Sequence, residues 1–288
     1  MNALTQPIPA FDVERIRADF PLLARSVHDK PLVYLDNANT SQKPAVVIEA
    51  VDHFYRESNA NVSRAVHQLG EEATAAYEAT RGKLARFIHA PSRNEVVLTS
   101  GTTQAINLVA YSYAMPRLKP GDEILVVVSG KFGERWAEMG ERFQAKVTRF
   151  EVAWGESLDL QKFAAALKPG FKAVFTQACE TSTATLHPVR EMVALTRKHS
   201  PGALFAVDAI TAVGCLPLPM DEWDIDVMVA GSQKAFMIPA GLSFIALSER
   251  AWKAQGRSRA AKYYFDLAGE KAANSKGDSQ FSIPTPLV

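Results

Sequence analysis

The sequence predicts an α/β fold built on a mostly parallel, seven-stranded sheet with helices on both faces. The first observation is that short apolar runs recur along the chain, several without interruption, which is typical of strands buried on both faces. The second is that helix-length amphipathic segments separate most of these runs, as right-handed crossovers require. The predicted strands are Glu95–Thr99, Glu123–Val128, Lys146–Val152, Lys172–Thr176, Ala203–Asp208, Ile225–Ala230 and Leu242–Leu247.

The intervening segments have helical spacing of their apolar residues and recognisable start signals. Asp159 stands where a helix cap belongs, and Pro188 where a first-turn proline belongs. The last two strands are joined by a short segment without an evident helix, so we expect an antiparallel edge strand there. The crossover helices are predicted over Thr103–Ala114, Gly133–Phe143, Asp159–Leu167 and Val189–His199.

Two further helices precede the first strand, over Pro44–Ser58 and Gln68–Ile88. In the second, an apolar face that includes Leu69, Ala73 and Tyr77 is expected to pack on the sheet. The polar segment Gly269–Ser282 contains Gly, Ser and Asn and is predicted to be a loop.

Composition excludes several classes of function. The chain has 288 residues, with 32 Lys and Arg against 31 Asp and Glu, and this balance argues against nucleic acid as a partner. Its two cysteines, Cys179 and Cys215, form neither a disulfide framework nor a metal-binding pair. The sequence shows neither a signal peptide nor an apolar run suited to a bilayer, so we expect a cytoplasmic protein without membrane or metal partners.

Polar groups follow four of the predicted strands, at the edge where open parallel sheets bind ligands. Ser100-Gly101-Thr102-Thr103 opens a helix, and its amides and hydroxyls form either a phosphate cradle or a plain helix cap. Asp208 ends an apolar strand, where it either caps the next segment or pairs with a protonated ring nitrogen. The run Cys179–Thr183 either hydrogen-bonds a ligand or turns the chain.

Lys234 lies just beyond another buried strand, within Gly231-Ser232-Gln233-Lys234-Ala235. Desolvation at that position would lower its pKa and favour the neutral amine that attacks carbonyls; the alternative is an ordinary solvated lysine. Lys234 and Asp208 lie one crossover apart and should end neighbouring or near-neighbouring strands. A phosphate cradle, an acid for a ring nitrogen and an amine for an aldehyde together match the requirements of pyridoxal 5'-phosphate (PLP).

With these residues in place, the chain resembles the class V aminotransferase family of fold-type I PLP enzymes over nearly its whole length. Residues 11–125 are similar to group II cysteine desulfurases, through FPLL, YLDNANTSQKP, NANVSRAVHQLGEEAT and LTSGTTQAINLVA. Residues 126–288 are more similar to alanine–glyoxylate and serine–glyoxylate aminotransferases, through GKFGERW, ETSTA, AVDAITAVG and GSQKAFMIPAGLSF.

The resemblance implies a role for each matching residue. Lys234 would bind the cofactor aldehyde covalently, and Asp208 would hold the pyridine nitrogen. Phe132 would stack on the ring, and Ser182 would lie near the ring hydroxyl or Asp208. The phosphate would be held by Gly101, Thr102, Thr103 and Gln233, with Thr285 contributed by the neighbouring subunit of a homodimer.

The chain also departs from the family pattern. The desulfurase nucleophile and the aminotransferase arginine belong to a C-terminal small domain, which is expected to be absent here. Phe132 replaces a histidine of the desulfurases. The expected organisation is therefore an N-terminal arm with the first helix over 1–60, a PLP-binding large domain over 61–268 and a tail over 269–288.

These features favour a transaminase that passes the amino group of a small amino acid, of alanine or serine type, to glyoxylate or another 2-oxo acid. One alternative is a cysteine desulfurase, in which Asn37, Ala38, Arg64 and His67 would lie along the substrate entrance. The same residues read equally well as loop structure, and His67 as a helix start. The other alternative is a PLP-binding protein with little or no activity.

Overall fold

In the computed structural model of the chain, the described residues are 11–63, 65–114, 118, 120–255, 263–281 and 288. The N-terminal arm contains helix α1 (Val13–Ala18), a small hairpin of β1 (Ser26–Val27) and β2 (Lys30–Pro31), and helix α2 (Ala45–His53). A π-helical turn, Phe54–Ser58, continues α2 as the sequence predicts. The long helix α3 (Gln68–Phe87) then leads into the sheet.

The central sheet has the seven predicted strands, and their bounds agree with the sequence to within about two residues. Their order is β3-β11-β10-β9-β6-β4-β5, and every neighbouring pair is parallel except the two that β11 makes. A two-residue hairpin of β7 (Cys179–Glu180) and β8 (Thr185–Leu186) follows β6. The sheet strands are β3 (Val96–Thr99), β4 (Glu123–Val128), β5 (Lys146–Glu151), β6 (Ala173–Gln177), β9 (Leu204–Asp208), β10 (Val227–Gly231) and β11 (Ser243–Leu247).

Helices cover both faces of the sheet, as predicted. The helices that follow α3 are α4 (Thr102–Val109), α5 (Lys131–Arg142), α6 (Leu160–Ala166), α7 (Val189–His199), α8 (Glu249–Gln255) and α9 (Leu267–Asn274). Alternate residues of β9 show the two faces, because Phe205 belongs to a hydrophobic cluster that includes residues of α3, α6 and α7, whereas Leu204 belongs to another that includes residues of α4 and α8. Asp159 caps α6 as expected, accepting from the amides of Gln161 (2.8 Å) and Lys162 (3.1 Å).

The last strand, β11, is antiparallel as predicted, but the expectation that it forms the edge is wrong. It lies between β10 and β3, and pairs with both along its length. All five of its residues are buried, so an edge position would leave an apolar strand with unpaired backbone groups. The strand β3, reached from α3, occupies the edge instead.

The predicted loop over Gly269–Ser282 is also wrong in its first half, because α9 extends from Leu267 to Asn274. Asp266 caps this helix by accepting from the amide of Ala268 at 3.1 Å, and Leu267 is fully buried. The anchoring residue and the cap lie just before the polar segment, and they outweigh the low helix propensity of Gly269.

Helix α3 packs against the core of the sheet through Tyr77, as predicted, whereas Ala73 is buried facing the groove between α2 and α3 and Leu69 is exposed. The helix also buries Arg81, which binds the carboxylate of Glu78 at 2.8 Å. Within the described ranges, no helix is both long enough and apolar enough to cross a bilayer.

Candidate active site

A cavity of about 400 Å³ lies at the carboxyl ends of the parallel strands and contains most of the residues predicted to hold the cofactor. It is lined by six of them, namely Thr102, Thr103, Phe132, Asp208, Gln233 and Lys234. A second, larger groove of about 480 Å³ lies between α2 and α3; its lining is mostly apolar and includes none of these six. The chemistry therefore concentrates in the smaller cavity, as expected for the edge of an open α/β sheet.

The N-terminus of α4 forms one wall of this cavity. Gly101 precedes the helix with φ of +83°, a left-handed conformation that favours glycine. No side chain caps α4, so the amides of its first turn are not consumed by a cap. With Thr102 and Thr103 lining the cavity, this turn has the donors and the dipole direction that suit a phosphate.

Asp208 ends β9 and is buried, with 7% of its surface exposed. Its Oδ2 accepts from the indole Nε1 of Trp136 at 3.1 Å, and its Oδ1 accepts from the amide of Ile210 at 3.1 Å. Burial raises the pKa of Asp208, although both hydrogen bonds and the charge of Lys234 oppose that shift. A buried carboxylate with only neutral donors is suited to a cationic ligand group.

Lys234 follows β10, the strand next to β9, so the expected neighbourhood of Lys234 and Asp208 is confirmed. Lys234 is only 7% exposed, which argues against a solvated surface lysine. Its Nζ donates to Thr211 Oγ1 at 3.0 Å and lies 5.6 Å from the centroid of the Phe132 ring. Burial lowers the pKa of Lys234, and Asp208 partly opposes this, so the neutral amine is favoured relative to an ordinary lysine.

A buried glutamate, Glu180, binds the first turn of α5, which carries Phe132. Its Oε2 accepts from the amides of Phe132 (3.1 Å) and Gly133 (3.0 Å), at the start of α5. Ser182 donates to Glu180 Oε1 at 2.7 Å and accepts from the amide of Lys131 at 2.9 Å. Ser182 therefore helps to hold the first turn of α5, and it is not among the described residues that line the cavity.

The structure describes three of the four residues proposed for the substrate entrance, and none of these three is among the residues that line the cavity. Asn37 and Ala38 lie in an exposed turn, next to Asn39, which does line the cavity. His67 caps α3, its Nδ1 accepting from the amide of Gly70 at 3.2 Å, which agrees with a helix start. Arg64 and Thr285 lie outside the described residues.

Sequence reasoning missed several contributors to the cavity. Trp136 follows Phe132 by four residues on α5, and this spacing was the signal that could have identified it. Arg135 and Asn39 also line the cavity, and Glu180 lies just behind it. Neither cysteine does so: Cys215 is exposed, and Cys179 is half-buried with its pKa raised by burial.

The donor set fits a phosphorylated pyridine aldehyde. The α4 N-terminus suits the phosphate, the buried Asp208 suits a protonated ring nitrogen, and the buried amine of Lys234 suits an aldehyde. Gln177 pairs with Asp208 in the sheet register, and its buried amide has no hydrogen-bond partner among the described residues. Such an unsatisfied group beside a cavity is typical of a ligand or water site.

The chain matches the family model described as aminotransferase class-V over residues 33–263. It is 43% identical over 227 residues to a probable cysteine desulfurase of Xylella fastidiosa, covering 75% of this chain and 54% of that protein. It is 38% identical over 258 residues to a probable cysteine desulfurase of a Synechocystis strain, covering 87% of this chain and 61% of that protein. The chain therefore spans between half and two thirds of the length of these relatives.

Solved structures of both kinds share the fold. A cysteine desulfurase from Thermococcus onnurineus superposes with a TM-score of 0.75 at 29% identity, over 84% of this chain and 58% of that one. An alanine–glyoxylate aminotransferase from Nostoc superposes with a TM-score of 0.69 at 25% identity, over 87% and 63% of the two chains. On the extent of the family match and the shared fold, the chain belongs to the class-V aminotransferase family, whose members depend on PLP.

Proposed function

We propose that the chain binds PLP through Lys234 and acts as a transaminase, passing the amino group of a small amino acid to glyoxylate or another 2-oxo acid. The observation that carries the proposal is the position of the Lys234 amine. It is buried between Thr211 Oγ1 and the Phe132 ring, in the same cavity as Asp208 and the first turn of α4.

Each side chain has a task that follows from its surroundings. The first turn of α4, with Thr102 and Thr103, binds the phosphate. Asp208 holds a proton on the ring nitrogen, and Phe132 covers one face of the ring. The cofactor, when bound, supplies an electron sink for the electron pair released at the substrate α-carbon.

Lys234 then has two roles in this proposal. It binds the cofactor aldehyde at rest, and once an amino donor has displaced it, its free amine moves a proton from the substrate α-carbon. The lowered pKa of Lys234 supports the second role, because a general base must be substantially unprotonated near neutral pH.

The surroundings of the cavity favour transamination over desulfuration. A desulfurase needs a cysteine thiolate near the substrate, and among the described residues no cysteine lines the cavity. Of the two cysteines, Cys179 is the one whose charge affects the pKa of Lys234. Burial raises the pKa of Cys179 itself and so disfavours its thiolate. In this proposal the residue that stacks on the ring is Phe132, which offers no titratable group.

A cysteine desulfurase is the second candidate, and the similarity to proteins named as probable cysteine desulfurases at 38–43% identity favours it. In that case the thiolate would have to come from outside the described residues. A PLP-binding protein with little or no activity is the third candidate.

The test is a panel of amino acids scored against the absorption band of the bound cofactor. Transamination predicts that alanine or serine shifts the band and that a stoichiometric 2-oxo acid appears. Sulfide release from cysteine, with little response to alanine and serine, would favour the second candidate. A band that no amino acid changes would favour the third.

The cofactor assignment has its own control. Lys234→Ala should abolish the band, whereas Lys253→Ala should retain it, because Lys253 is an exposed lysine paired with Glu249 on α8. A wild-type protein without the band, or a Lys234→Ala protein that keeps it, would contradict the proposal.

A further inference from the structure

We propose that Trp136 is a positioning residue that fixes the Asp208 carboxylate toward the ring nitrogen of the bound cofactor. The proposal rests on the proposed function, because it assigns Asp208 to that nitrogen. It adds a part that the sequence did not indicate: a neutral donor on a helix that sets the orientation and charge of the acid.

The geometry of Trp136 supports this role. It lies on α5 four residues after Phe132, so one helix provides both the stacking ring and the donor to the acid. Its side chain is 7% exposed, and its Nε1 donates to Asp208 Oδ2 at 3.1 Å. The indole also packs on Phe175 of β6, with ring centroids 5.4 Å apart and an interplanar angle of 27°. The indole is therefore held in place independently of the hydrogen bond.

The Asp208 carboxylate is held at both oxygens by groups on different elements. Trp136 on α5 binds Oδ2, and the amide of Ile210, after β9, binds Oδ1 at 3.1 Å. Two fixed donors prevent the carboxylate from rotating about its bond to the side chain. Each carboxylate oxygen can accept a further hydrogen bond, so either oxygen can still bind a ligand N–H.

The charged groups around Asp208 do not fix its charge by themselves. Lys234 after β10 attracts the carboxylate, and Glu180 after β6 repels it. Arg135 on α5 lines the same cavity but is directed at the Phe132 ring, 5.2 Å from its centroid. Against this balance, a donor to the ionised form carries weight, because burial favours the protonated acid.

The experiment compares two tryptophan-to-phenylalanine substitutions. Trp136→Phe keeps an aromatic ring against Phe175 and removes the donor. Trp252→Phe is the matched control, because Trp252 is 6% exposed and its Nε1 has no hydrogen-bond partner within the described part of the chain. The readout is the PLP dissociation constant, measured from about pH 6 to pH 9 by the absorption of the bound cofactor.

We expect Trp136→Phe to weaken PLP binding about tenfold near neutral pH, the effect of one hydrogen bond to a charged group. The loss should shrink toward high pH, where Asp208 ionises without the donor. Trp252→Phe should stay within about twofold at every pH. Equal behaviour of the two variants would overturn the proposal.

A double substitution distinguishes positioning from direct packing on the cofactor. In an Asp208→Asn background, Trp136→Phe should weaken binding by less than about twofold, because the residue acts through Asp208. A further tenfold loss in that background would overturn the proposal. If Trp136→Phe does not fold, Trp136→Met replaces it, because a flexible methionine adapts to the space left by the indole and has no donor.

A cofactor-free measurement separates this proposal from the proposed function. Removing the donor raises the pKa of Asp208 further, so the free energy of unfolding should keep falling up to a higher pH than in the wild type. Trp252→Phe should leave that pH range unchanged. Wild-type protein that binds no PLP would refute the proposed function. An unchanged pH range in Trp136→Phe would refute the role of Trp136.

Discussion

Two buried aspartates at opposite ends of neighbouring strands are treated very differently by the fold. Asp226, just before β10, accepts from Arg197 and Arg250 at 2.7 Å each, and also from Ser248 and the amide of Phe205. Asp208, at the carboxyl end of β9, accepts only from an indole and one backbone amide within the part of the chain that the structure describes. Both are almost fully buried, so the difference lies in the compensation of their charges.

The comparison shows at which end of the sheet the charge of a buried carboxylate is compensated by the chain itself. At the amino end, two guanidinium groups and two neutral donors satisfy the buried carboxylate. At the carboxyl end, none of the described residues bonds a cation directly to the acid, and burial raises the pKa of Asp208. A ligand that brings a protonated nitrogen to this end would supply what the amino end already has.

The largest effect is expected for Asp226→Asn. It removes the charge that pairs with Arg197 and Arg250. Each carboxylate oxygen accepts from two of the four donors, so the amide NH2 opposes two of them whichever oxygen it replaces. Both arginines are partly exposed and also pair with Asp224, so we expect a loss of about 2–4 kcal/mol in the free energy of unfolding. Urea unfolding measures it, and a loss under about 1 kcal/mol would contradict the contrast.

The same substitution at the other end, Asp208→Asn, should barely change the stability of the cofactor-free protein, within about 1 kcal/mol near neutral pH. One lost hydrogen bond is offset by the removal of a buried charge. PLP affinity should fall at least about tenfold, because an amide cannot hold the ring proton.

The pH dependence gives that prediction its sign. A carboxyl group with a raised pKa costs no folding free energy below its ordinary range, and stability falls as pH rises through that range toward the folded pKa. The wild-type protein should show this fall, and Asp208→Asn should lack it. Parallel unfolding curves for the two proteins across this range would contradict the prediction.

The residues at the carboxyl end of the sheet were predictable from the sequence, whereas the strand order and one contact of the site were not. Asp208 and Lys234 end continuous apolar strands, and neighbouring strand ends meet at one edge, so local pattern sufficed. The position of β11 was not predictable in this way, because pairing with β3 joins segments more than a hundred residues apart. Nor was the contact between Trp136 and Asp208, which depends on how α5 lies on the sheet.

Glu180 shows a similar limit in the candidate site. Its place in a short polar run was visible, but the run allowed either ligand contact or a turn. Only the packing of α5 against β7 brings the amides of Phe132 and Gly133 to its carboxylate. Ser182 in turn donates to Glu180 and so supports the first turn of α5 indirectly.

A smaller effect is expected from Gly101→Ala, which tests the phosphate side of the carboxyl end. No atom lies within 4 Å of an added Cβ, so the cost comes from the left-handed backbone, at φ of +83°. We expect the free energy of unfolding to fall by about 1 kcal/mol. We also expect weaker binding of the phosphate, measured as a lower affinity for PLP. Gly155→Ala is the control, because Gly155 has φ of +84° and equally open space, but lies outside the cavity lining. If both variants bind PLP alike, the role of the α4 N-terminus fails.

The smallest effect is expected from Thr211→Val. Thr211 Oγ1 accepts from Lys234 Nζ at 3.0 Å and shares a hydrogen bond of 2.6 Å with Thr181. Removing this acceptor disfavours the charged amine, so the already lowered pKa of Lys234 should fall further. Because the neutral amine attacks the aldehyde, the midpoint of the pH profile for PLP attachment should move to lower pH. Thr181→Val keeps the acceptor on Thr211 and should move the midpoint less. A shift to higher pH in Thr211→Val would mean that this hydroxyl does not stabilise the protonated amine. The carboxyl end would then depend on Asp208 alone to hold positive charge.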